Sequence, residues 1–312
     1  MDQTGKHIVI AGGSGFVGTS LAIHLRERGY SVTVLSRTPS RPRSGVKVAT
    51  WDGRTTGPWC EVLNEAYGIV NLAGRSYNCT KTPDHLDEIL RTRIEATTAL
   101  GKALRQIEQP PQVWIQFTTA QIVGDPPELL CDESSPDGMG IAPAIGKRWE
   151  EALHEAALPE QRKVILRPNL VLGKSRGSGQ GVLGPLELLT KLWLGGRAGS
   201  GSQGFSWIHE EDLNRLVERS LEDPNMQGAY IAAAPNPVSQ AEFMRILRGV
   251  LGRAFGLPAF EWMVRIGATY LFRSDPELVL YGRYVHSKRL AEHGFEFRYP
   301  HLDGALREIY EK

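Results

Sequence analysis

The chain has 312 residues, a formal net charge of +1 and a hydrophobic content of 41%. This length is enough to bury a full core. The balanced charge gives no reason to expect nucleic acid or an anionic membrane as a partner, and no apolar run approaches the ~20 residues of a membrane span. Three scattered cysteines without metal-ligand spacing argue against a disulfide framework and a metal site. With no room for a signal peptide before the first strand, we expect a cytoplasmic protein.

The first predicted strand ends in a glycine-rich turn that leads directly into a helix. Glycines occur there at three-residue spacing. The first allows a tight turn, the second lets the backbone approach a pyrophosphate, and the third lets the helix pack closely on the strand. The start of the helix then binds the anion. The alternative is an ordinary glycine turn between a buried strand and a helix. The residues that we assign to cofactor binding here are Gly12, Ser14, Gly15, Phe16, Val17 and Gly18.

The end of the second predicted strand, residues 31–35, indicates which dinucleotide is bound. A site specific for NAD places an acidic residue there for the ribose 2′-hydroxyl. This chain has Ser36 and Arg37 instead. A hydroxyl beside a guanidinium suits a 2′-phosphate, so the sequence favours NADP(H). The alternative for Arg37 is a solvated loop charge, since Arg41 and Arg43 lie close by.

The rest of the chain continues the alternation of strands and helices. Helices are predicted at about 17–28, 83–107, 145–157, 183–194 and 240–251, and strands at 46–50, 68–72, 113–117, 163–167 and 229–232. This order predicts an α/β fold with a doubly wound, Rossmann-like parallel sheet and a smaller C-terminal substrate-side subdomain. Residues 173–204 are glycine-rich, which suits either close approach to a ligand or a surface excursion. We assign residues 1–172 and about 205–250 to the nucleotide-binding domain, and about 173–204 and 251–312 to the smaller module.

The order of these motifs resembles the extended short-chain dehydrogenases/reductases, the superfamily of sugar-nucleotide epimerases and dehydratases. The motifs that carry this likeness are the glycine turn, Trp51-Asp52, Asn71-Leu72-Ala73-Gly74, Thr118-Thr119 and Arg167-Pro168. More narrowly, the chain is similar to an atypical branch whose members are called epimerase family proteins. The features shared with that branch are Trp149-Glu150, Ser206-Trp207-Ile208-His209 with Asp212, and the ending from Gly294 to Pro300.

The resemblance implies further cofactor contacts. It places Asp52 on the adenine amine, and it places Leu72, Ala73 and Gly74 along the cofactor's ribose. It also implies that Glu88 and Arg93 face the cofactor, and Lys147 lies one residue from the position of the superfamily's lysine. Each charged residue has an alternative: a turn formed by Asp52 with Gly53, a charged solvent face for Arg93, and a surface cation for Lys147.

The catalytic residues of the superfamily are only partly present. Its members use a tyrosine as acid/base, a lysine four residues later and a serine or threonine that orients the substrate. Thr119 supplies the hydroxyl, with Thr118 as a substitute. The tyrosine position falls on Ala142 and the lysine position on Gly146. The resemblance implies that this loss belongs to the whole branch.

Other residues are therefore considered for proton transfer and substrate binding. His209 is the second candidate catalytic residue; its alternative is to cap a helix together with Asp212. Gln203 and Trp207 are candidates for contact with the substrate, and Trp207 equally suits the core. The acidic residues after the fifth strand can either approach the nicotinamide or face water; they are Asp125, Asp132 and Glu133.

Together these features give one functional hypothesis and one alternative. The hypothesis is an NADP(H)-binding, atypical extended short-chain dehydrogenase/reductase that acts as an oxidoreductase or epimerase on a carbonyl or hydroxyl substrate. The alternative is a catalytically silent NADP(H)-binding module that senses redox state or regulates a partner. We expect a small-molecule substrate, no nucleic acid, no membrane and no metal, and a monomer or homodimer.

Overall fold

The computed structural model describes residues 5–38, 45–124, 129–174 and 181–311. Arg41, Arg43 and Asp125 lie outside these ranges. The strands are β1 His7–Ala11, β2 Ser31–Ser36, β3 Lys47–Thr50, β4 Gly68–Asn71, β5 Val113–Phe117, β6 Leu130–Cys131, β7 Arg162–Pro168, β8 Leu170–Leu172, β9 Gly204–Phe205, β10 Trp207–His209, β11 Gly228–Ala232, β12 Val238–Ser239 and β13 Tyr284–Val285. The helices are α1 Phe16–Glu27, α2 Pro83–Leu104, α3 Ile141–Ala156, α4 Leu183–Lys191, α5 Glu210–Glu222, α6 Gln240–Val250, α7 Glu261–Ile266, α8 Glu277–Leu280, α9 Lys288–Glu292 and α10 Leu302–Tyr310.

The main sheet is parallel, and its strands have the order β3-β2-β1-β4-β5-β7-β11. The chain moves outward from β1 through β2 and β3, and then returns to add β4 on the other side of β1. This confirms the predicted doubly wound fold, including the strand at 229–232, which becomes the edge strand β11. Ligands of such sheets bind beyond the carboxyl ends of the strands where the order reverses, here between β1 and β4.

Both faces of the sheet are covered, as the apolar strands require. Successive side chains of a strand point to opposite faces. Ile8 and Ile10 therefore pack in the layer that contains α1 and α5, whereas Val9 and Ala11 pack in the layer that contains α2 and α3. The strand β1 is thus fixed from both sides, and the turn that follows it has a defined position.

Helix α3 begins four residues earlier than the sequence indicates, at Ile141. The predicted start, at about residue 145, lies two residues after Pro143. Proline is tolerated in the first turn, where its missing N–H has no intrahelical acceptor. Pro143 is the third residue of α3, so Ala142 and Gly146 both lie within this helix.

The C-terminal module is fastened to α5 by a buried carboxylate. Oδ1 of Asp212 accepts a hydrogen bond from the backbone N–H of Arg298 at 2.7 Å, and Oδ2 accepts one from the N–H of Tyr299 at 2.9 Å. Helices α6 and α10 form a separate apolar cluster with the short strands β9 and β10. These contacts join the C-terminal residues 298–310 to β9, β10, α5 and α6.

Candidate functional site

Packing requires glycine at residues 12 and 18 of the first turn, whereas there is space for a side chain at residue 15. Gly12 has a φ of +76°, and a Cβ there would lie 2.9 Å from the Ala73 Cα atom. A Cβ on Gly18 would lie 2.4 Å from the Gly13 Cα atom. Among the described residues, the nearest atom to a Cβ on Gly15 would be the Gly12 carbonyl oxygen, at 3.7 Å. The turn is therefore tight where backbones cross and open at Gly15.

Open space at Gly15 is what a bound pyrophosphate needs. Gly15 is the N-cap of the 12-residue helix α1 and makes no side-chain cap to its first N–H groups. Those N–H groups and the helix dipole favour an anion. Val17 packs against the core, Ser14 is exposed, and the Phe16 ring lies 3.3 Å from where a Cβ on Gly181 would be. The residues present thus fit a dinucleotide.

The two side chains at the end of β2 differ in exposure and in hydrogen bonding. Ser36 is buried, and its hydroxyl donates to the Thr38 carbonyl at 3.0 Å and accepts from the Thr38 N–H at 3.3 Å. Arg37 is exposed, and its guanidinium has no hydrogen bond or ion pair with the described part of the chain. Ser36 therefore shapes the turn, and Arg37 is available to an anion.

Asp52 forms the turn that the sequence allows as its alternative role. Its Oδ1 accepts from the N–H groups of Arg54 and Thr55 at 2.8 and 2.9 Å, and Oδ2 accepts from the Thr55 hydroxyl at 2.6 Å. The Thr55 hydroxyl and these N–H groups lower the pKa of Asp52 to about 2. The carboxylate is exposed and can accept further bonds, so its contact with adenine remains a prediction.

A buried polar network holds the loop that follows β4. The Asn71 side chain accepts a hydrogen bond from the Ala73 N–H at 3.0 Å and donates to Thr97 and Gln116 at 3.1 and 3.0 Å. Thr97 also accepts from the Trp149 indole at 3.1 Å. This network fixes Leu72, Ala73 and Gly74 relative to α2 and α3. Gln116 was not among the predicted site residues, although an amide inside an apolar strand is a signal that the sequence offers.

Arg93 lies under the same loop and not on a solvent face. Its Nη1 donates to the carbonyls of Arg75 and Ile89, each at 2.9 Å, and its guanidinium stacks 4.7 Å from the Trp149 ring centre. A Cβ on Gly74 would lie 2.8 Å from the Arg93 Cγ atom. Burial lowers the pKa of Arg93 to about 10. The solvent-face alternative is therefore wrong for Arg93.

The charge of Arg93 has no carboxylate partner among the described residues, whereas its neighbours on α2 are paired. Glu88 forms an ion pair with Arg75, and Arg91 forms ion pairs with Asp87 and Glu95. A largely desolvated cation without a counter-ion is costly unless a ligand supplies the anion. Arg93 is thus a candidate for an anionic ligand, and Glu88 supports the loop through Arg75.

The two threonines after β5 have different partners. The Thr118 hydroxyl donates to Glu150 at 2.9 Å, and Glu150 also accepts two hydrogen bonds from Arg167 at 2.8 and 2.7 Å. Thr119 caps the 3₁₀ turn Ala120–Ile122 by accepting from the Gln121 N–H at 3.2 Å. Thr118 is therefore committed to a buried network, and Thr119 keeps a hydroxyl proton to donate.

Packing explains why glycine stands where the superfamily has lysine. A Cβ on Gly146 would lie 2.6 Å from Cγ1 of Ile122 and 3.0 Å from Cγ2 of Thr119. The 3₁₀ turn thus occupies the space that a longer side chain on α3 needs. The next residue, Lys147, is partly exposed and pairs with Asp137 at 2.6 Å. Its contact with the cofactor remains a prediction beside this surface pairing.

His209 has the capping geometry that the sequence allows as its alternative role. It is 2% exposed, its Nδ1 accepts from the Glu211 N–H at 3.2 Å, and its Nε2 lies 3.1 Å from a Glu308 carboxylate oxygen. The ring also packs 4.1 Å from the Tyr299 ring centre. Both ring nitrogens are engaged, so this arrangement favours structure over proton transfer.

His209→Ala is expected to lower the free energy of unfolding by about 2–4 kcal/mol, because it removes a helix cap and a buried ring. NADPH affinity, measured by calorimetry, should stay within twofold of wild type. Burial lowers the pKa of His209, although Glu308 acts in the opposite direction. The unfolded chain therefore takes up the proton first as the pH falls below about 6.5, and stability declines. In denaturant titrations, His209→Ala should lack the loss of stability that protonation of His209 causes in the wild type. A variant of normal stability that has lost turnover would instead favour a catalytic role for His209.

The remaining candidates for substrate contact are also engaged in the fold. Gln203 is buried and donates to the Ala198 and Val279 carbonyls at 3.1 and 2.8 Å. Trp207 is fully buried in the C-terminal apolar cluster. Glu133 accepts from the Ile231 N–H at 2.8 Å and from residues at the start of α9, while Asp132 accepts from Ser134. Gln203 and Glu133 therefore join separate elements, Trp207 fills the core, and Asp132 shapes a local turn.

A Rossmann-like sheet with an open glycine turn at its switch point defines a dinucleotide-binding protein. A model of the NAD dependent epimerase/dehydratase family matches residues 8–232, and one described as a domain of unknown function, DUF1731, matches residues 259–309. The chain belongs to the NAD-dependent epimerase/dehydratase family.

Relatives match this chain over nearly its whole length. Epimerase family protein SDR39U1 of Bos taurus is 34% identical, over 97% of this chain and 99% of that protein. The Homo sapiens protein of the same name is 32% identical, with the same coverage. A crystal structure of human epimerase family protein SDR39U1 with NADPH has a TM-score of 0.85 and 30% identity, and covers 98% of this chain and 99% of that one.

The described residues contain neither a membrane-spanning helix nor a metal-binding cluster. No helix in that part of the chain is long and apolar enough to cross a membrane. The same ranges contain no group of three or more histidine, cysteine, aspartate or glutamate residues that could hold a metal ion.

Proposed function

We propose that this protein binds NADP(H) and reduces a carbonyl group of a small molecule, or oxidises or epimerises the corresponding hydroxyl. The observation that carries the proposal is the exposed Arg37 at the end of β2, which has no ion pair with the described residues and lies beside a glycine turn with space at Gly15. The solved relative with NADPH supports the same cofactor. We further propose a cytoplasmic monomer or homodimer that binds neither nucleic acid nor membrane.

Each part of the site has a separate task in this proposal. The N–H groups at the start of α1 bind the pyrophosphate, and Arg37 binds the 2′-phosphate. The backbone of Leu72–Gly74 lies along a ribose, with the Arg93 charge beneath it. The nicotinamide, when bound, supplies hydride chemistry. Thr119 donates a hydrogen bond to a substrate oxygen.

Arg37→Ala is expected to weaken NADPH binding by about tenfold to a hundredfold, because a hydrogen bond to a charged group contributes about 1.5–3 kcal/mol. NADH lacks the 2′-phosphate, so its affinity should change less than twofold. Calorimetric titrations of both nucleotides test this. Arg245→Ala, an exposed arginine paired with Glu242 on α6, is the matched control. Equal losses for NADPH and NADH would contradict the assignment of Arg37.

A second function is favoured by the absence of the superfamily's tyrosine and lysine from α3. Ala142 cannot transfer a proton, and packing at Gly146 leaves no room for the usual lysine. These features suit a silent NADP(H)-binding module that presents a cofactor-dependent surface to a partner. A screen of aldehydes and ketones for NADPH consumption separates the two functions, because turnover that is lost in Thr119→Ala supports the enzyme.

A further inference from the structure

The loop after β4 contains a tyrosine and a lysine at the spacing that α3 lacks. Tyr77 and Lys81 are separated by three residues, directly downstream of Leu72–Gly74. Resting on the proposed function, we propose that Tyr77 donates the proton to the oxygen of a carbonyl substrate and that Lys81 is its positioning residue.

Lys81 is held against the Tyr77 ring by several contacts. Its ammonium lies 3.7 Å from the ring centre, over the aromatic face. It also donates to the carbonyls of Tyr77 and Cys79 and lies 3.8 Å from an Asp275 carboxylate oxygen. The side chains of Lys81 and Asp275 are only 15% and 13% exposed. This cation therefore fixes the orientation of the tyrosine.

The Tyr77 hydroxyl is available to a ligand. The side chain is half-buried, and its hydroxyl makes no hydrogen bond with the described part of the chain. Burial raises the pKa of Tyr77, so the phenol keeps its proton at neutral pH, while the charge of Arg93 acts in the opposite direction and stabilises a phenolate. A protonated phenol near a fixed cation is suited to give its proton during a reaction.

Contacts on both sides place this pair between the cofactor loop and the C-terminal module. Arg93 binds the Arg75 carbonyl and stacks on Trp149 of α3, one helical turn from Gly146. On the other side, the Thr80 N–H donates to the Arg273 carbonyl at 3.1 Å. The pair thus lies at the edge of the site where α2, α3 and the C-terminal module meet.

Reduction of the carbonyl needs a hydride from the cofactor and a proton from Tyr77. A hydride from NADPH forms the new C–H bond, the carbonyl π bond breaks, and its electron pair goes to the oxygen. The Tyr77 O–H bond breaks as its proton goes to that oxygen, giving an alcohol, NADP⁺ and a phenolate. Water returns a proton to the phenolate. Arg93 stabilises the phenolate in the interval, and Lys81 holds the ring in place.

The test uses 4-nitrobenzaldehyde and 1-phenyl-1,2-propanedione as probes, with NADPH consumption followed by absorbance. Tyr77→Phe should lower kcat/KM at least about a hundredfold, the range of general acid catalysis, with NADPH affinity within twofold of wild type. Tyr270→Phe, at an exposed tyrosine of the C-terminal module, should match wild type. Lys81→Met should lower kcat more than it raises KM and should shift the pH profile, and Lys81→Arg should restore part of kcat.

A second readout does not depend on turnover. In the complex with NADP⁺, the carbonyl stretching frequency of bound 4-nitrobenzaldehyde should fall in wild type and return toward its solution value in Tyr77→Phe. Full turnover by folded Tyr77→Phe, an unshifted carbonyl in wild type, or NADPH binding without turnover of either probe overturns the proposal. Absence of NADPH binding overturns the proposed function itself, and this pair with it.

Discussion

Gly15→Ala is expected to weaken NADPH binding at least about tenfold and to leave the stability of the protein nearly unchanged. The nearest atom of the described residues to a Cβ at Gly15 is the Gly12 carbonyl oxygen at 3.7 Å, so alanine fits the protein but takes space in the turn where the pyrophosphate is proposed to bind. Gly15 has a φ of −76°, which alanine adopts without strain. The lower flexibility of the unfolded chain offsets the weaker N-cap.

Gly18→Ala is the matched variant, and in contrast to Gly15→Ala it is expected to lower the stability of the protein. Its Cβ would lie 2.4 Å from the backbone of Gly13, so α1 must move away from the turn. Overpacking of this kind costs about 1–3 kcal/mol, and NADPH affinity should fall together with stability. Calorimetry and thermal unfolding of both variants measure the two effects. Unchanged NADPH affinity in folded Gly15→Ala would show that the cofactor does not approach this turn.

Arg167→Met is expected to lower the free energy of unfolding by about 3–5 kcal/mol, because it leaves the Glu150 carboxylate buried without its cation. Both side chains are 13% exposed, and two hydrogen bonds join them. Denaturant titration measures the loss. The double variant Arg167→Met/Glu150→Met should recover most of it, since an apolar pair replaces a buried ion pair at little cost.

Arg307→Met is the control for this effect. Arg307 is half exposed and pairs with Asp303 on α10 and with Glu311, the residue that follows this helix. Exposed pairs of this kind contribute less than about 1 kcal/mol, so the variant should unfold almost as wild type does. An Arg167→Met protein as stable as Arg307→Met would show that the pair beneath Thr118 does not support the site.

The main sheet and the glycine turn could be predicted because their signals are local. A β-branched run, three glycines and a helical pattern lie within about one dozen residues, and each strand of the sheet shows its own apolar run. Helix α3 begins four residues before the predicted start, with Pro143 in its first turn, where proline is tolerated. Local patterns therefore predicted the order of the helices and strands better than the residues at which they begin and end.

The roles of the buried polar residues could not be predicted in the same way. Asp212 binds backbone groups of residues 298 and 299, and Gln203 binds the carbonyl of Val279. His209 meets Glu308 across a similar distance in sequence. A single sequence shows that these residues are polar, but their partners follow only from the packing of the C-terminal module against α5. Gln203 and His209, which the sequence suggested for a substrate pocket, therefore make structural contacts instead.

The most direct test of the central claim is a crystal structure of the protein with NADP⁺. We predict that the pyrophosphate will lie on the N–H groups at residues 15–17, with the 2′-phosphate within hydrogen-bonding distance of the Arg37 guanidinium. A nucleotide bound away from the β1–α1 turn, or a 2′-phosphate that does not contact Arg37, would contradict the account.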